Sequence, residues 1–306
     1  MNKVGRNVGW IVGVIPIFAL LSMAATHAQW EQPPDAVLQL PRFVLQAAGQ
    51  PAQHHFEVAS GQLHDRWIRA LQFQPCEQHL VQSANFYIDK TGQWLGIWTP
   101  SQRVISFPET VAAWLPAGAK LIADVHYLAV SRDVEDCSSI GLNFTERRPL
   151  RPLEAMGIQS PIEIPSGSAV ELRKEFTVIA DSYALGLQPE TKGDASSVEV
   201  TAVTPSGSSQ LLYGNNDFKS SEAAHVFDQP VFIPKGTRIV AIASYRNPTQ
   251  TAAADIFKLT MSLYPSAEFR AVSYEAAAPL RSSKRTAASA TKKTTSKKKS
   301  SSKKHY

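Results

Sequence analysis

Between Val37 and Tyr264 the hydrophobic residues recur with the two-residue period of β-strands, and no stretch keeps a helical period for three turns. Residues 198–203 alternate cleanly, a Thr-Pro-Ser-Gly-Ser-Ser turn follows, and residues 210–213 continue the pattern, which predicts a hairpin. A second hairpin is predicted around the turn at residues 89–92. Further strands are predicted at residues 158–165, 169–179 and 232–245. Short strands with Gly, Pro and Ser between them favour antiparallel sandwiches.

An internal echo predicts two such units. Residues 115–127 and 233–245 share an apolar-Pro-x-Gly turn followed by a strand that ends in Tyr. We therefore expect an all-β fold of two tandem antiparallel β-sandwich, jelly-roll-like domains, at residues 29–150 and 153–270. The link at residues 147–152 holds two prolines, which disfavour regular pairing there.

The N-terminal 28 residues have the pattern of a secretory signal. Lys3 and Arg6 precede an apolar run over residues 8–23, and Thr26-His27-Ala28 closes it with small residues at the two positions that a signal peptidase reads. We interpret residues 1–28 as a cleaved signal peptide, which makes the protein exported, periplasmic or secreted. The alternative is an uncleaved anchor, but the run is shorter than the ~20 residues that a bilayer requires.

The formal net charge of +5 averages two unlike regions. Residues 281–306 carry ten Lys or Arg and no Asp or Glu, whereas residues 29–280 carry 19 basic and 26 acidic side chains, a net charge of −7. The Lys/Ser-rich tail has no large apolar residue before Tyr306, so it is predicted to be disordered. Two interpretations stay open: a solvated tail without a partner, or electrostatic contact with an anionic surface such as lipid headgroups or cell-wall polymer. Nucleic acid is the least favoured partner for an exported chain.

Cys76 and Cys137 are the two cysteines of the chain. Because exported proteins meet oxidising conditions, a Cys76–Cys137 disulfide is the candidate pairing. The sequence leaves open whether the two Cα atoms lie within the ~7 Å that bridging requires.

One histidine, His126, lies on the apolar strand in residues 121–144 that leads into a turn ending in Asp136-Cys137. This segment resembles the copper-ligand strand of the ascorbate-dependent type II copper monooxygenases, the family of peptidylglycine alpha-hydroxylating monooxygenase and dopamine beta-monooxygenase. The resemblance covers most of residues 65–265 and implies two copper sites, one in each domain. The first would use an adjacent His-His pair and the single His of a His-Tyr dipeptide.

Most of the ligands that the resemblance implies are replaced in this chain. Gln82 and Ser83 stand where the His-His pair belongs, and His126 matches the single His. The segment at residues 186–193 matches the His-x-His loop of the second domain but has no histidine, and Phe257 stands where the ligand Met belongs. Met261 lies ~13 Å further along the strand, so we expect it in the core. Five of the six ligand positions are thus changed.

Other histidines offer helpers for His126. His79 lies upstream of Gln82, and His54 and His55 are adjacent, near His64 and Asp65. This segment is interpreted as an exposed polar loop, with a metal site formed by its histidines as the alternative. His225 has no partner histidine at a ligand spacing and is interpreted as structural, and so is His126 itself, as a strand residue hydrogen-bonded to a neighbour.

Other enzyme classes lack their motifs here. The chain holds no Gly-x-Ser-x-Gly, phosphate-binding Gly-rich loop, Cys-x-x-Cys or His-Glu-x-x-His. Asp133, Glu135 and Asp136 lie together and are interpreted as solvated turn residues, so a hydrolase is disfavoured.

Two functions remain as hypotheses. The first is a catalytically degenerate copper-monooxygenase-like protein, without catalytic residues or a cofactor, that binds a protein or small molecule in an interdomain groove. Trp94, Trp98 and Trp114 supply aromatic surface there or simply belong to the core. The second is an active copper-dependent, ascorbate-dependent monooxygenase or copper-handling protein that uses His126 with His54, His55 or His79.

Overall fold

The fold is taken from a computed structural model that describes residues 30–47, 51–193, 195–219 and 224–268. The predicted signal peptide at residues 1–28 and the basic tail at residues 281–306 lie outside the described residues. Within the described ranges, no helix has both the length and the apolar character that crossing a membrane requires.

Nearly all regular structure in the described chain is β-strand, which confirms the predicted all-β fold, and one short 3₁₀ turn spans Gln78–Leu80. The strands are β1 Ala36–Gln39, β2 Phe43–Leu45, β3 Ala52–Ala59, β4 Arg66–Gln74, β5 Val81–Ile88, β6 Gln93–Trp98, β7 Val104–Ser106, β8 Val111–Leu115, β9 Lys120–Tyr127, β10 Val134–Asp136, β11 Ser139–Thr145, β12 Arg151–Ile164, β13 Ala169–Thr177, β14 Ser182–Glu190, β15 Ala195–Val203, β16 Ser209–Asn215, β17 His225–Ile233, β18 Arg238–Arg246 and β19 Ala253–Pro265.

The first half of the molecule is a sandwich of two sheets. One sheet has the order β3-β9-β5-β6, and the facing layer has the order β1-β11-β4-β8, with β7 paired to β4. Their alternating strands bury one row of apolar side chains each, among them Leu71, Phe86, Leu121 and Ile140. A small pair of strands, β2 and β10, covers one edge of this core.

The second half repeats the arrangement. The order β12-β19-β14-β17 forms one layer, and the order β13-β18-β15-β16 forms the other. Val200, Ile239, Leu259 and Met261 are among the residues buried between them. The predicted hairpin at residues 198–213 is confirmed as β15 and β16, and the one around residues 89–92 is confirmed as β5 and β6.

The two halves share one continuous sheet. Strand β12 pairs in parallel with β8 through Arg151–Leu153 and antiparallel with β19 from Glu154 onward, which yields the order β1-β11-β4-β8-β12-β19-β14-β17. The prediction that the link at residues 147–152 avoids regular pairing is therefore wrong for Arg151 and Pro152. Pro152 is tolerated because it lies at the start of a strand, before pairing with β19 begins.

The sequence echo corresponds to a repeated structural unit. Residues 116–119 turn the chain between β8 and β9, and residues 234–237 do the same between β17 and β18. Each turn closes with a backbone hydrogen bond to a proline carbonyl and has a glycine with positive φ, Gly118 or Gly236. The prediction of one strand over residues 232–245 is wrong, because this second turn divides the segment into the end of β17 and most of β18.

The predicted disulfide is confirmed. Cys76 and Cys137 are joined, with Cα atoms 5.3 Å apart, and the bridge ties the segment after β4 to the segment before β11. The backbone N–H of Cys76 also donates to the hydroxyl of Ser138 at 3.3 Å.

Candidate functional site

His126, the one residue that matches a family copper ligand, lies on β9 and is 6% exposed. In the sheet register it stands opposite Gln53 of β3 on one side and Ser83 of β5 on the other. Directly opposed residues in an antiparallel pair share a face, so these three side chains form one row, while Gln82 falls in a β-bulge. The structure thus brings together the segments that the resemblance aligns, but an amide and a hydroxyl flank the imidazole where copper prefers nitrogen ligands.

The proposed helper histidines do not gather around His126. His54 and His55 lie in strand β3, so the interpretation of this segment as a loop is wrong. His54 stands opposite Val125 and stacks on Phe43, with ring centroids 3.8 Å apart, on the other face of the sheet from His126. Burial lowers the pKa of His54, and the neighbouring His55 lowers it further.

The other two candidates make surface contacts. His55 Nδ1 lies 2.6 Å from Asp124 Oδ1, at an exposed position. His79 lies in the 3₁₀ turn with its side chain 75% exposed, 3.7 Å from a Glu77 carboxylate oxygen. Across the described parts of the chain, no group of three or more His, Cys, Asp and Glu side chains is arranged to hold a metal ion.

The second aligned copper region is packed core. Residues 186–190 belong to β14, and the loop at residues 191–193 follows it. Phe257 and Met261 are 1% and 0% exposed in the second core, as expected for Met261.

Of the three acidic residues interpreted as solvated turn residues, Asp133 and Glu135 are exposed, but Asp136 is not. Asp136 ends strand β10 and is 4% exposed. It accepts hydrogen bonds from the Tyr127 hydroxyl at 2.5 Å and from the Ser138 hydroxyl and backbone N–H. Burial, and then the contact with Asp136, raises the pKa of Tyr127 far above its usual range. Asp136 is thus a structural acceptor beside the disulfide.

A pocket of about 380 Å³ lies between the two halves. We call it the seam pocket and define it by its lining residues. They are Trp94, Leu95, Gly96, Ile97, Gln102, Ile105, Ser106, Phe107 and Pro108 from the first half and Leu185, Val226, Phe227, Pro230 and Ser262 from the second.

Three strands form most of the walls of the seam pocket. β6 and β17 are each the last strand of a sheet, and β7 pairs with β4 alone among the described strands. In β17, residues 227–230 form a bulge. Val226 pairs with Gly186 of β14 and Val231 pairs with Ala184, so four residues of β17 lie opposite a single residue of β14. The bulge places Phe227 and Pro230 against the pocket.

The three tryptophans predicted to lie in a groove or in the core occupy different environments in the structure. Trp94 is 1% exposed and lines the seam pocket, and its indole N–H donates to Asn85 Oδ1 at 3.3 Å. Trp98 is buried in the first core against Phe73, and Trp114 is half-buried on β8. Trp94 alone of the three therefore belongs to the pocket.

Hydrogen bonds hold the two halves together at the back of the seam pocket. The Ser262 hydroxyl donates to the Trp94 carbonyl at 2.6 Å and accepts from Gln93 Nε2 at 3.1 Å. Gly186 allows β14 to lie close to Trp94 and to the neighbouring strand β17. A methyl group at this position would be only 3.2 Å from Cζ3 of Trp94 and 2.5 Å from the carbonyl oxygen of His225. Trp94 of the first half therefore packs directly on β14 of the second half.

A second polar contact crosses between the halves beside the pocket. The Tyr87 hydroxyl of β5 donates to Glu190 Oε1 at 2.6 Å, and Lys258 Nζ lies 2.8 Å from Glu190 Oε2 and over the Tyr87 ring. Burial, and then the charge of Glu190, raises the pKa of Tyr87 well above its usual range. Tyr87 is therefore a neutral donor at physiological pH.

Replacing Tyr87 with Phe is expected to lower the free energy of unfolding by about 1.5–3 kcal/mol, because a hydrogen bond to a charged acceptor is lost. Urea denaturation followed by circular dichroism measures the loss. Tyr183→Phe is the control, because the Tyr183 hydroxyl makes no hydrogen bond to any residue that the structure describes, and we expect it to cost less than about 0.5 kcal/mol. Equal effects of the two substitutions would contradict a specific role for the Tyr87–Glu190 contact.

The residues that close the seam pocket are far apart in the sequence, and the strand pattern does not predict that they meet. The wall formed by Val226, Phe227 and Pro230 comes from a segment far along the chain from Trp94 and Ile105. One available signal was Pro230 inside an apolar strand pattern, because a proline within a strand marks an edge or a bulge.

Comparison with known proteins yields structural similarity alone. No protein-family model matches the chain, and no curated protein matches it. Among solved structures, the chain is similar to the major capsid protein P2 of bacteriophage PM2, with 11% identity, a TM-score of 0.33 and coverage of 76% of this chain and 99% of that one. It is also similar to the STIV MCP, with 10% identity, a TM-score of 0.27 and coverage of 73% and 96%. The infectious bursal disease virus VP2 subviral particle matches with 6% identity, a TM-score of 0.24 and coverage of 75% and 71%. At these values the similarities carry no functional argument.

Proposed function

We propose that this chain is an exported binding protein whose ligand site is the seam pocket. The observation that carries the proposal is the pocket itself, about 380 Å³ in volume and lined mainly by apolar and aromatic side chains. Small-molecule sites in proteins have volumes of about 300–1,000 Å³ and the same type of lining, and they occur preferentially between domains. The disulfide agrees with an oxidising compartment.

The lining favours binding over catalysis. Among the described residues that line the seam pocket there is no Asp, Glu, His, Lys, Arg, Cys or Tyr. General acid-base and nucleophilic catalysis both depend on such side chains within hydrogen-bond reach of the substrate. The serine hydroxyls of Ser106 and Ser262 have no base beside them in that lining.

The proposal includes descent from the type II copper monooxygenases with loss of their chemistry. The loss of copper chemistry is supported by the replacement of five of the six aligned ligands and by the row in which His126 stands between Gln53 and Ser83. The alternative, an active copper enzyme or copper-handling protein, needs His54, His55 or His79 beside His126. These positions do not favour it: His54 lies on the other face of the sheet, His55 contacts Asp124, and His79 lies in the exposed 3₁₀ turn.

Copper loading of the chain from residue 29 to residue 306 tests this proposal. We expect well below one copper per chain after competition with a chelator, because a single imidazole does not supply a copper site. His126→Ala is expected to leave the bound copper unchanged, as is the control His64→Ala at an exposed position. Metal analysis of the dialysed protein gives the stoichiometry.

One tightly held copper that is lost in His126→Ala and kept in His64→Ala would overturn the proposal. Ascorbate-dependent oxygen consumption would then be the next measurement, because an active monooxygenase requires that reductant.

A further inference from the structure

The residues that line the seam pocket restrict the chemical class of its ligand. We propose that its occupant is a compact, uncharged molecule with a ring or short apolar body and a polar group at the solvent end. This inference rests on the proposed binding function and specifies its ligand class. It follows from the absence of charge in the lining, the interruption of the strand edges and the placement of the polar groups.

The lining excludes a charged ligand body. Its described residues are apolar or aromatic apart from Gln102, Ser106, Ser262 and backbone groups. An ion that enters such a site loses its hydration without gaining a counter-charge, which costs far more than burial of a neutral group. The nearby Lys258 and Glu190 are already paired with each other.

The strand edges around the pocket do not favour an extended peptide. Peptides often bind by adding a strand to an open edge. However, the β17 edge is interrupted by the bulge at residues 227–230 and by Pro230, and β6 has a bulge beside Gly96, whose φ is 138°. The third edge, β7, is three residues long. Bulges and prolines are features that block strand addition, so a compact molecule fits these walls better.

The free hydrogen-bonding groups lie at the open side of the pocket. At the buried side, the Ser262 hydroxyl both donates to Trp94 O and accepts from Gln93 Nε2, so its bonds are made. Gln102 and Ser106 are exposed, and their side chains form no hydrogen bond to any residue in the described ranges. A ligand therefore gains its polar contacts near solvent and buries its apolar part against Trp94, Leu185 and Phe227.

Two fluorescent probes with the same ring system test the ligand class. N-phenyl-1-naphthylamine is uncharged, and 8-anilinonaphthalene-1-sulfonate adds one sulfonate. Titrated into the chain from residue 29 to residue 306, the uncharged probe is expected to bind one site per chain at least about tenfold more tightly. The sulfonate lies beside the anilino nitrogen in the middle of the ring system, so it enters the uncharged lining together with the rings and finds no counter-charge there.

Variants locate the binding. Ser106→Trp and Val226→Trp each add an indole to the pocket lining and are expected to weaken binding of the uncharged probe at least about tenfold, since the added ring takes up part of the volume of about 380 Å³. Ser106 is the exposed position of the two, so this variant remains informative if Val226→Trp fails to fold. Leu211→Trp is the matched control, because Leu211 is 61% exposed on β16 and lies outside the lining.

The outcomes separate this inference from the proposed function. Equal or tighter binding of the sulfonate probe, with the same sensitivity to Ser106→Trp, would overturn the uncharged class and leave the binding function standing. Displacement of the uncharged probe by a capped Thr-Val-Thr-Val-Thr peptide would overturn the compact class in favour of strand addition. Binding of neither probe, or binding unaffected by both pocket variants, would overturn both proposals.

Discussion

Replacing Trp94 with Ala is expected to lower the free energy of unfolding by about 3–5 kcal/mol, the range for removing a large buried aromatic side chain. Trp94 is 1% exposed, its ring packs on Gly186 of the other half, and its N–H donates to Asn85. The substitution removes these contacts and leaves a cavity that joins the seam pocket. Because the backbone of β6 is fixed by pairing with β5, the site cannot fully collapse around alanine.

Two measurements check this expectation. Urea denaturation gives the free energy of unfolding, and titration with N-phenyl-1-naphthylamine gives the affinity of the pocket. Trp98→Ala serves as the control, because Trp98 is 2% exposed in the first core but does not line the pocket. Both variants should lose comparable stability, whereas only Trp94→Ala should also weaken probe binding. A loss below about 1 kcal/mol for Trp94→Ala would contradict the packing described for this ring.

Removing the disulfide with the double substitution Cys76→Ala and Cys137→Ala is expected to cost about 4 kcal/mol. The bridge joins residues 61 positions apart. In the chain-entropy account, a cross-link of this span restricts the unfolded chain by an amount between the ~3 kcal/mol of a 15-residue loop and the ~4.7 kcal/mol of a 100-residue loop. The free energy of unfolding should also fall more steeply with urea concentration in the variant, because its unfolded chain is more expanded and exposes more surface.

Reductant provides the matched comparison for the disulfide. Wild-type protein unfolded in urea with dithiothreitol should match the double variant, and the variant should show the same stability with and without dithiothreitol. A wild-type stability that dithiothreitol shifts by less than about 1 kcal/mol would show that the bridge contributes little beyond the surrounding hydrogen bonds of Asp136 and Ser138.

Local features of the fold were predictable because short segments determine them. The hairpin of β15 and β16 has its turn at Pro205-Ser206-Gly207, where Gly207 has a positive φ, and the hairpin of β5 and β6 turns through Gly92 in the same manner. The two turns of the internal echo were visible for the same reason. In both, a glycine two residues after a proline supplies the positive φ of the turn.

Features that depend on distant partners were not predictable. Pro152 pairs in a strand because β8 lies beside it, and neighbouring residues contain no indication of that partner. Asp136 is buried because Tyr127 and Ser138 supply donors. His54 lies on a half-buried strand because Phe43, from a different segment, stacks on its ring. In each case tertiary contact overrides the local tendency of a proline or a polar residue to lie in a loop.

The candidate site also combines features that the sequence predicts with features that depend on distant residues. The two-sandwich frame around the seam pocket follows from the order of strands along the chain. The position of Phe227 and Pro230 against Trp94 depends on a bulge of four residues opposite one, and the strand period alone does not determine such an insertion.

The shared nine-stranded sheet has a consequence for handling the protein. β8 is paired on one side with β4 and on the other with β12, and four of its five residues are buried. Expression of the first half alone would leave the β12-facing edge of this apolar strand open to solvent, where unpaired N–H and C=O groups recruit strands from other chains. The point near residue 150 where the two cores meet is thus a poor place to truncate, and fragments ended there would be prone to aggregation.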